Sequence, residues 1–351
     1  MKILFITRKY PPHIGGMETF SAGFVQALGS SVTVRALRRS QVHLLWWYPI
    51  TLVWAVVMAR RYDLIHFGDG VLAAMAAVVA RLSSRPVTIT LHGLDVTYRR
   101  WPYQPVLRWA LRSVQHCICV SRATAEAVAQ RGVIAKRISV IPNGIALEHW
   151  PVKTRVEQNN AAKSQPKQLL SVGRLVPRKG IAWFIAEVLP QLTLPLHYHV
   201  VGSGPEGERL QQLVNQLKLT ERVTLHGQVD ESTLHTLYLQ ADAFIMPNIP
   251  VPGNPEGFGI VAIEAAACGV PVLAAKLEGI ADAVVDGDTG FLLESRSVLD
   301  WITRLQQVLT AAPLAPEHIR AVVAERFSWE AVGQQYSNLF NHLIVSSHVK
   351  R

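Results

Sequence analysis

The sequence predicts an α/β protein with two doubly wound, mostly parallel sheets. Its 351 residues exceed the usual size of a domain with a single hydrophobic core, and 49% of them are hydrophobic, which suffices for two cores. Short apolar segments typical of strands alternate with helical segments in both halves, as in parallel α/β units. Glycine-rich turns follow several strands, at the edge where open α/β sheets bind their ligands.

The first predicted domain, residues 1–150, begins with an apolar strand at 2–7, a glycine loop and a helix carrying Phe20 and Phe24. Strands and helices then alternate until Pro142-Asn143-Gly144 closes the domain. The further strands are predicted at 32–36, 63–66, 87–91, 116–120 and 138–141, and the further helices at 42–59, 71–82, 99–115 and after the capping residue Ser121.

A polar, lysine-rich segment at residues 151–167 predicts the interdomain linker. The second domain, residues 168–328, repeats the alternation of strands and helices. Its strands are predicted at 168–172, 197–201, 223–225, 243–246 and just after Pro271, with helices near 231–240 and 259–268. Ser328 is placed to cap a last amphipathic helix at 329–347.

Charge is distributed unevenly along the chain. Residues 1–150 hold 18 lysines and arginines against 6 acids, and residues 151–351 hold 17 against 19, so the first part carries +12 and the second −2 of the net charge of +10. This asymmetry predicts that the first domain faces an acidic partner, which could be a nucleic acid, an anionic membrane or an acidic acceptor.

The cysteines and the amino terminus indicate a cytoplasmic protein. Cys117, Cys119 and Cys268 are an odd number without framework spacing and without histidines beside them, which fits a reducing compartment and no structural metal. The apolar segment after Met1-Lys2 is too short for the apolar region of a signal peptide.

The stretch from Pro255 to Val272 is the main candidate for a ligand-binding site in the predicted second domain. Glu256, Gly257, Phe258 and Gly259 lead into a small-residue helix that contains Glu264, and neither glutamate has a basic neighbour in the sequence to neutralise it. Glycines give a ligand access to the unpaired amides of a helix start, which attract anions, and the Glu264 carboxylate can accept hydrogen bonds from two hydroxyls. A phosphorylated sugar or a nucleotide would satisfy both. The alternative is a buried helix with a solvated glutamate at each end.

A second anion site is predicted after the strand at 168–172. Gly173-Arg174 and Lys179-Gly180 follow its carboxyl end, so the arginine and the lysine can converge there. A guanidinium fork and an ammonium opposite a helix start neutralise a diphosphate well.

The stretch Glu256-Gly257-Phe258-Gly259, with Glu264 eight positions after Glu256 and then Cys268-Gly269 and Pro271-Val272, closely resembles the signature of the family 4 glycosyltransferases. These are retaining, nucleotide-sugar-dependent enzymes of the B fold. The resemblance spans the chain, and it implies two Rossmann-like domains that face each other across a cleft. It further implies that the first domain binds the acceptor, that the second binds the donor, and that the terminal helix returns to the first domain.

The resemblance assigns roles to matching residues of this chain. Gly15 and Gly16, in Gly-Gly-x-Glu, would lie near the donor diphosphate and the acceptor, and His92 of His-Gly near the transferred sugar. Arg174 and Lys179 would hold the departing diphosphate, and Glu256 would position sugar hydroxyls. From the residues alone, a Gly-Gly pair is usually a turn, and a histidine after a strand is often a capping or core residue.

Two short patterns point elsewhere. Gly202-Ser203-Gly204-Pro205-Glu206-Gly207 fits the dinucleotide-binding fingerprint, but no nicotinamide-site residue follows, so we interpret Gly204 as part of a turn beside the donor nucleotide. Asp286-Gly287-Asp288 has the form of a metal-binding Asp-x-Asp, yet it precedes Thr289-Gly290, and we interpret it as a turn. We expect no metal and no other cofactor.

Two tryptophan-rich segments of the basic half favour a membrane surface. Residues 42–59 are apolar, contain Pro49 and lie between arginine pairs, so they are long enough to span a bilayer only barely. A helix buried against the sheet is the simpler interpretation, and an interfacial helix is its main competitor. Residues 99–115 place Arg108 and Arg112 on one helix face, which is either solvated or bound to anionic lipid.

Together these observations predict a retaining glycosyltransferase that moves a sugar from a nucleotide-sugar donor to a hydroxyl of a saccharide or lipid-linked acceptor, in cell-envelope glycan synthesis. The protein would be cytoplasmic or peripheral on the inner face of the membrane. A nucleotide-sugar epimerase or hydrolase on the same fold is the alternative. The sequence lacks a recognised nucleic-acid-binding module, so no nucleic-acid partner is expected.

Overall fold

A computed structural model describes residues 1–13, 15–153 and 166–349, which form two compact units. The first comprises Met1–Ile145 and Phe327–Arg351, and the second Ala146–Arg326. The second unit therefore begins earlier than the predicted boundary at residue 150. Of the predicted linker, residues 154–165 lie outside the described ranges, whereas Lys153 and Lys167 belong to the second unit. Lys153 is buried, and its Nζ donates to the carbonyl of Ala241 at 3.1 Å.

The first unit holds a six-stranded parallel sheet in the order β2-β1-β3-β4-β5-β6. Its central strands are apolar and buried because helices cover both faces. The strands are β1 (Ile3–Thr7), β2 (Val32–Ala36), β3 (Leu64–Phe67), β4 (Val87–Leu91), β5 (His116–Cys119) and β6 (Ile138–Val140). The helices are α1 (Gly16–Leu28), α2 (Leu44–Met58), α3 (Ala73–Leu82), α4 (Leu94–Thr97), α5 (Tyr103–Ser113) and α6 (Arg122–Ala129).

A histidine is enclosed in the middle of this sheet. The His66 ring on β3 bonds through Nδ1 to the hydroxyl of Thr88 at 2.8 Å and through Nε2 to that of Thr90 at 3.1 Å. Burial lowers the pKa of His66 to about 3, so the ring is neutral. It is a satisfied core residue, in contrast to His92 at the sheet edge.

The terminal helix packs on α1 within the first unit. Trp329, Tyr336 and Phe340 pack against Phe20 and Phe24, with ring centroids 5.1 to 6.4 Å apart. A Cβ at Gly23 would lie 1.9 Å from the Trp329 ring, and one at Gly144 would lie 2.4 Å from it. Only glycine leaves room for this indole at both places.

The second unit repeats the architecture with the strand order β12-β11-β10-β7-β8-β9. The predicted fold class, two doubly wound parallel sheets, is confirmed. The strands are β7 (Lys167–Val172), β8 (Leu196–Val201), β9 (Val223–Gly227), β10 (Ala243–Met246), β11 (Val272–Ala275) and β12 (Gly290–Leu293). The helices are α7 (Ile181–Trp183, continued by a π turn at Phe184–Val188), α8 (Gly207–Gln216), α9 (Glu231–Gln240), α10 (Ile260–Ala267), α11 (Ile280–Ala283), α12 (Val298–Ala311) and α13 (Pro316–Phe327), and α14 (Trp329–Val349) is the terminal helix of the first unit.

Candidate active site

The second sheet has its topological switch point between β7 and β10. The chain proceeds from β7 to one side of the sheet and from β10 to the other, and open α/β sheets bind ligands at such a point. A cavity lies there, lined by Gly173, Arg174 and Lys179 after β7 and by Met246 and Asn248 at the end of β10. The structure thus brings three predicted site residues to one place.

Glu256 lies in a cluster of positive charge at this point. Its Oε2 is 2.7 Å from Lys179 Nζ and 3.4 Å from Arg178 Nε, and it accepts from Asn248 Nδ2 at 3.3 Å. Burial alone would raise the pKa of Glu256, but the two cations outweigh it and hold the pKa below its usual value. Glu256 is therefore ionised and paired, and the expectation that it lacks a basic neighbour is wrong.

Arg178 belongs to this charge cluster, although the sequence analysis did not predict it as a site residue. Its guanidinium contacts Glu256 and donates to Asn254 Oδ1 at 3.1 Å, and its carbonyl accepts from the amide of Ile249. The side chain of Arg174, in contrast, is exposed beside the cavity. Arg178 thus joins the loop after β7 to the loop after β10, and Arg174 remains on the open side.

Two glycines allow these loops to lie close together. Gly180 has φ of +68°, and a Cβ there would lie 1.8 Å from the carbonyl oxygen of Pro247. A Cβ at Gly204 would lie 2.3 Å from the carbonyl oxygen of Leu175. Gly204 therefore allows its own backbone to lie close to the loop after β7. This packing explains the glycine at position 204 without a nicotinamide-binding site.

The Glu256–Gly259 segment leads into α10, which begins at Ile260. Gly259 precedes the helix in the left-handed conformation, with φ of +85°, and Phe258 is buried beneath the turn. The Glu256 amide donates to the Glu278 carboxylate, and the Glu256 carbonyl accepts from Gly279 at 3.2 Å. Of the first amides of α10, that of Ala262 donates to the carbonyl of Gly259 at 2.9 Å, and the start of a helix attracts anions.

Glu264 lies one turn further along α10. The Tyr238 hydroxyl donates to its Oε2 at 3.2 Å. Burial raises the pKa of Glu264 to about 7, although Tyr238 and Lys179 act in the opposite direction. The carboxyl group is half-buried and only partly ionised at neutral pH, so a ligand that donates two hydroxyls would favour its ionised form.

The switch point of the first sheet lies between β1 and β3 and presents His92 nearby. The His92 Nε2 is 3.0 Å from the carbonyl oxygen of Gly68, and Phe20 packs edge-on against the ring at 4.9 Å. Since a carbonyl only accepts, Nε2 carries the hydrogen, and Nδ1 of the neutral ring is an acceptor. The ring is therefore oriented by the protein, and its Nδ1 can accept a hydrogen bond from a hydroxyl.

Gly15 precedes α1 as its N-cap, and Gly16 is the first residue of the helix. Glu18, in the first turn of α1, is buried and pairs with Lys9 at 3.0 Å, and its Oε2 would lie 2.6 Å from a Cβ at Gly15. A Cβ at Gly16 would meet open space. The glycine pair thus leaves Glu18 in place and keeps the backbone of the turn accessible.

Asp69 is a second residue that the sequence analysis missed. It follows β3, is fully buried, and pairs through Oδ1 with Arg8 Nε at 3.0 Å, whereas its Oδ2 has no hydrogen-bond partner among the residues that the structure describes. Burial raises the pKa of Asp69 despite Arg8. In the sequence, Gly68-Asp69-Gly70 after a strand resembles an ordinary turn, so the pattern does not indicate that the Asp69 carboxyl group is buried.

Asp286-Gly287-Asp288 forms a turn before β12. Gly287 donates its amide to the carbonyl of Gly290 at 2.8 Å, and Asp286 Oδ1 accepts from the amide of Leu292 at 2.9 Å. In the described ranges, no group of three or more His, Cys, Asp or Glu side chains is placed to hold a metal ion.

Two doubly wound units, the second carrying paired cations and two glutamates at its switch point, define a glycosyltransferase of the B fold. A family described as Glycosyltransferase Family 4 matches residues 5–149, and one described as Glycosyl transferases group 1 matches residues 152–321. The chain belongs to the family 4 glycosyltransferases.

Relatives of known description share about a quarter to a third of their aligned residues with this chain. It is 29% identical over 349 residues to the GDP-mannose-dependent alpha-(1-6)-phosphatidylinositol monomannoside mannosyltransferase of Mycolicibacterium smegmatis, covering 89% of this chain and 90% of that protein. It is 27% identical over 295 residues to the glycogen synthase of Mycobacterium tuberculosis, covering 80% and 69%.

Solved structures share the fold. Anabaena HepE in complex with UDP matches with a TM-score of 0.77 at 23% identity, covering 97% of this chain and 100% of that one. Sucrose-phosphate synthase from Thermosynechococcus elongatus matches with a TM-score of 0.75 at 22% identity, covering 99% and 100%.

Proposed function

We propose that this chain is a retaining glycosyltransferase that moves a hexose from a nucleotide-diphosphate sugar to a hydroxyl of a saccharide or lipid-linked acceptor. The observation that carries the proposal is the charge cluster at the switch point between β7 and β10. There Lys179 and Arg178 surround an ionised Glu256, and Arg174 lines the same cavity. Cations beside the start of α10 suit a diphosphate, and Glu256 suits the hydroxyls of the attached sugar.

In the proposed reaction, the bond between the sugar's anomeric carbon and the diphosphate oxygen breaks while the acceptor oxygen bonds to the same face of that carbon. The acceptor proton passes to the departing phosphate oxygen, so no enzyme nucleophile is required. Arg174, Lys179 and the amides at the start of α10 would stabilise the charge that grows on the diphosphate. These cations supply the positive charge directly, so we expect activity to survive treatment with a chelator.

His92 would act from the first unit. Its Nδ1 is the acceptor nitrogen of a ring that Gly68 and Phe20 orient. We propose that Nδ1 accepts a hydrogen bond from a hydroxyl of the transferred sugar or the acceptor, which orients the substrate. Gly15 and Gly16 would admit the diphosphate or the acceptor close to the backbone.

We place the reaction on the cytoplasmic side, in cell-envelope glycan synthesis. The mycobacterial relative named for a phosphatidylinositol monomannoside supports a lipid-linked acceptor, and the UDP of the HepE complex supports a nucleotide-sugar donor. The first experiment is an assay of this chain with a panel of nucleotide sugars and envelope glycan acceptors.

The stereochemical outcome tests the retaining mechanism. With an α-linked donor, proton NMR of the earliest product should show an α linkage, because attack and departure occur on one face. A β-linked product would contradict the mechanism and the roles of His92 and Glu256. Incubation with donor alone is the control: rapid release of free sugar or a new epimer would indicate a hydrolase or epimerase instead.

We expect Glu264 to bind the ribose hydroxyls as a carboxylate, which makes donor affinity dependent on pH. Its raised pKa of about 7 in the free protein means that a proton must leave before the donor binds. Affinity for the nucleotide sugar should therefore rise about tenfold from pH 6 to pH 8. Calorimetry should find this rise in the wild type and a flat, weaker profile in Glu264→Gln.

A 2′-deoxy donor provides the matched control for Glu264. If the carboxylate contacts the ribose, removing the 2′-hydroxyl should cost the wild type more affinity than it costs Glu264→Gln. Fully additive losses, or an unchanged pH profile in the variant, would contradict the assignment.

A further inference from the structure

Helix α2 exposes an apolar stripe on its outward face. Exposed apolar side chains spaced three or four residues apart from Trp46 to Val57 point away from the sheet, and Leu45 adjoins them at the start of the helix. Leu45 and Val57 are 87% and 69% exposed. The remaining members of the stripe are Trp46, Ile50 and Val53. The inward side chains Trp47 and Ala55 are buried in the core of the first unit.

The segment Gln41–Arg61 is long and apolar enough to cross a membrane by length and composition. Its buried side chains hold it against the sheet, so in this fold it lies along the surface of the unit rather than apart from it. A helix with one side packed on its own domain and an apolar outer side is suited to lie in the plane of a membrane interface.

Helix α5 extends the same surface with basic side chains. Residues of α2, α3 and α5 share one core cluster on one side of the sheet, so their outward faces form a single layer. An open concavity on this layer is lined by Arg81, Arg108, Trp109 and Arg112, and the Arg81 guanidinium lies 4.6 Å from the Trp109 ring centroid. We call the outward residues of α2, α3 and α5 the docking face.

The charge around the docking face has one sign. Residues 19–62 and 96–125 contain no aspartate or glutamate. Exposed arginine pairs flank α2, with Arg38 and Arg39 before it and Arg60 and Arg61 after it. The surface therefore combines an apolar stripe, arginine pairs before and after it in the chain, and further arginines on α5, which packs on the other side of α3.

A second copy of the chain fits this surface poorly. Two-fold pairing of α2 with itself would bring the arginines before one helix close to those after the other. No acidic side chain within residues 19–62 could neutralise them. An anionic bilayer, in contrast, offers phosphates to the arginines and an acyl region to the stripe.

We propose that the docking face binds an anionic phospholipid bilayer, with the α2 stripe inserted at the interface and the arginines on lipid phosphates. This inference deepens the proposed function, because a lipid-linked acceptor would be met at that bilayer. Vesicle binding itself needs neither donor nor acceptor, so it succeeds or fails independently of catalysis.

The test is flotation of the full-length protein with vesicles of phosphatidylcholine alone or with phosphatidylglycerol added. The protein should float only with the anionic vesicles. Salt should weaken this binding without abolishing it, since it screens the arginines and leaves the apolar contribution of the stripe. Binding to neutral vesicles with equal affinity, or to neither, would overturn the proposal.

Two variants separate the two contributions. Leu45→Gln/Val57→Gln should lower the partition coefficient at least tenfold and make the residual binding fully sensitive to salt. Arg60→Gln/Arg61→Gln/Arg108→Gln should lower it by roughly fivefold for each charge removed, or about 100-fold together. All five positions are exposed, so both variants should keep the wild-type melting temperature.

Matched controls change exposed residues away from the docking face. Leu217→Gln/Leu299→Gln replaces two exposed leucines of the second unit, and Lys218→Gln/Lys276→Gln/Arg326→Gln removes as many charges from that unit. Both should float like the wild type. Equal losses in variants and controls would overturn the proposal, as would a wild-type dimer in sedimentation that Leu45→Gln/Val57→Gln dissociates.

Discussion

Lys179→Ala and Arg174→Ala should each lower turnover on the order of 10²-fold or more, the usual loss when a stabiliser of transition-state charge is removed. Lys179 and Arg174, both from the loop after β7, line the cavity at the switch point, and Arg174 is exposed. In the proposed reaction, both meet charge that develops as the diphosphate departs. Their contribution should therefore appear in kcat rather than in folding.

The measurement pairs initial rates at saturating donor with thermal melting. Arg174 is exposed, so its variant should melt like the wild type. In Lys179→Ala, Arg178 is the one cation of this pair of cations that still contacts Glu256. A modest loss of stability is therefore expected. Lys218→Ala, an exposed lysine on the same unit, is the control and should keep full turnover. Unchanged melting together with a loss of only a few-fold would contradict the assignment to the diphosphate.

The sequence predicted the fold because period and length are local properties. Apolar segments such as 2–7 and 243–246 stand between glycine turns and helices, and the structure places strands there. Parallel topology then brings the carboxyl ends of β7 and β10 together, which is why Gly173 and Lys179 could be assigned to one site.

The sequence could not show which side chains pair across the site. Arg178 and Lys179 are adjacent, yet the turn at Gly180 and the loop after β10 decide that both reach Glu256. That choice depends on contacts between segments far apart in the chain. Resemblance identified Lys179 but not Arg178, and the local surroundings of Glu256 suggested an unpaired carboxylate.

Gly23 is a similar case in the core of the first unit. In the sequence it is a glycine inside a helix, where glycine costs up to about 1 kcal/mol relative to alanine. The structure explains it by the Trp329 indole, which occupies the place of its Cβ. Such a contact joins the two ends of the chain, and periodicity carries no information about it.

Glu256→Gln should separate nucleotide binding from turnover, lowering kcat on the order of 10²-fold while nucleoside diphosphate binds equally well or more tightly. In the free protein, the Glu256 carboxylate is 2.7 Å from Lys179 Nζ and competes with a diphosphate for that cation. Glutamine keeps the shape of the side chain but lacks the charge, so Lys179 becomes more available. The sugar hydroxyls, in contrast, lose the anion that would orient them.

Calorimetry with the nucleoside diphosphate and with the nucleotide sugar, together with initial rates, measures both effects. Affinity for the diphosphate should not fall, whereas kcat and the preference for the sugar-bearing donor should both fall. Glu278→Gln is the matched control, because the Glu278 carboxylate accepts from the Glu256 amide and, within the described residues, forms no ion pair with Lys179. If Glu256→Gln weakens diphosphate binding and leaves kcat unchanged, then Glu256 stabilises the loop around it and does not orient the sugar. The assignment of the donor's sugar hydroxyls to Glu256 would then be wrong.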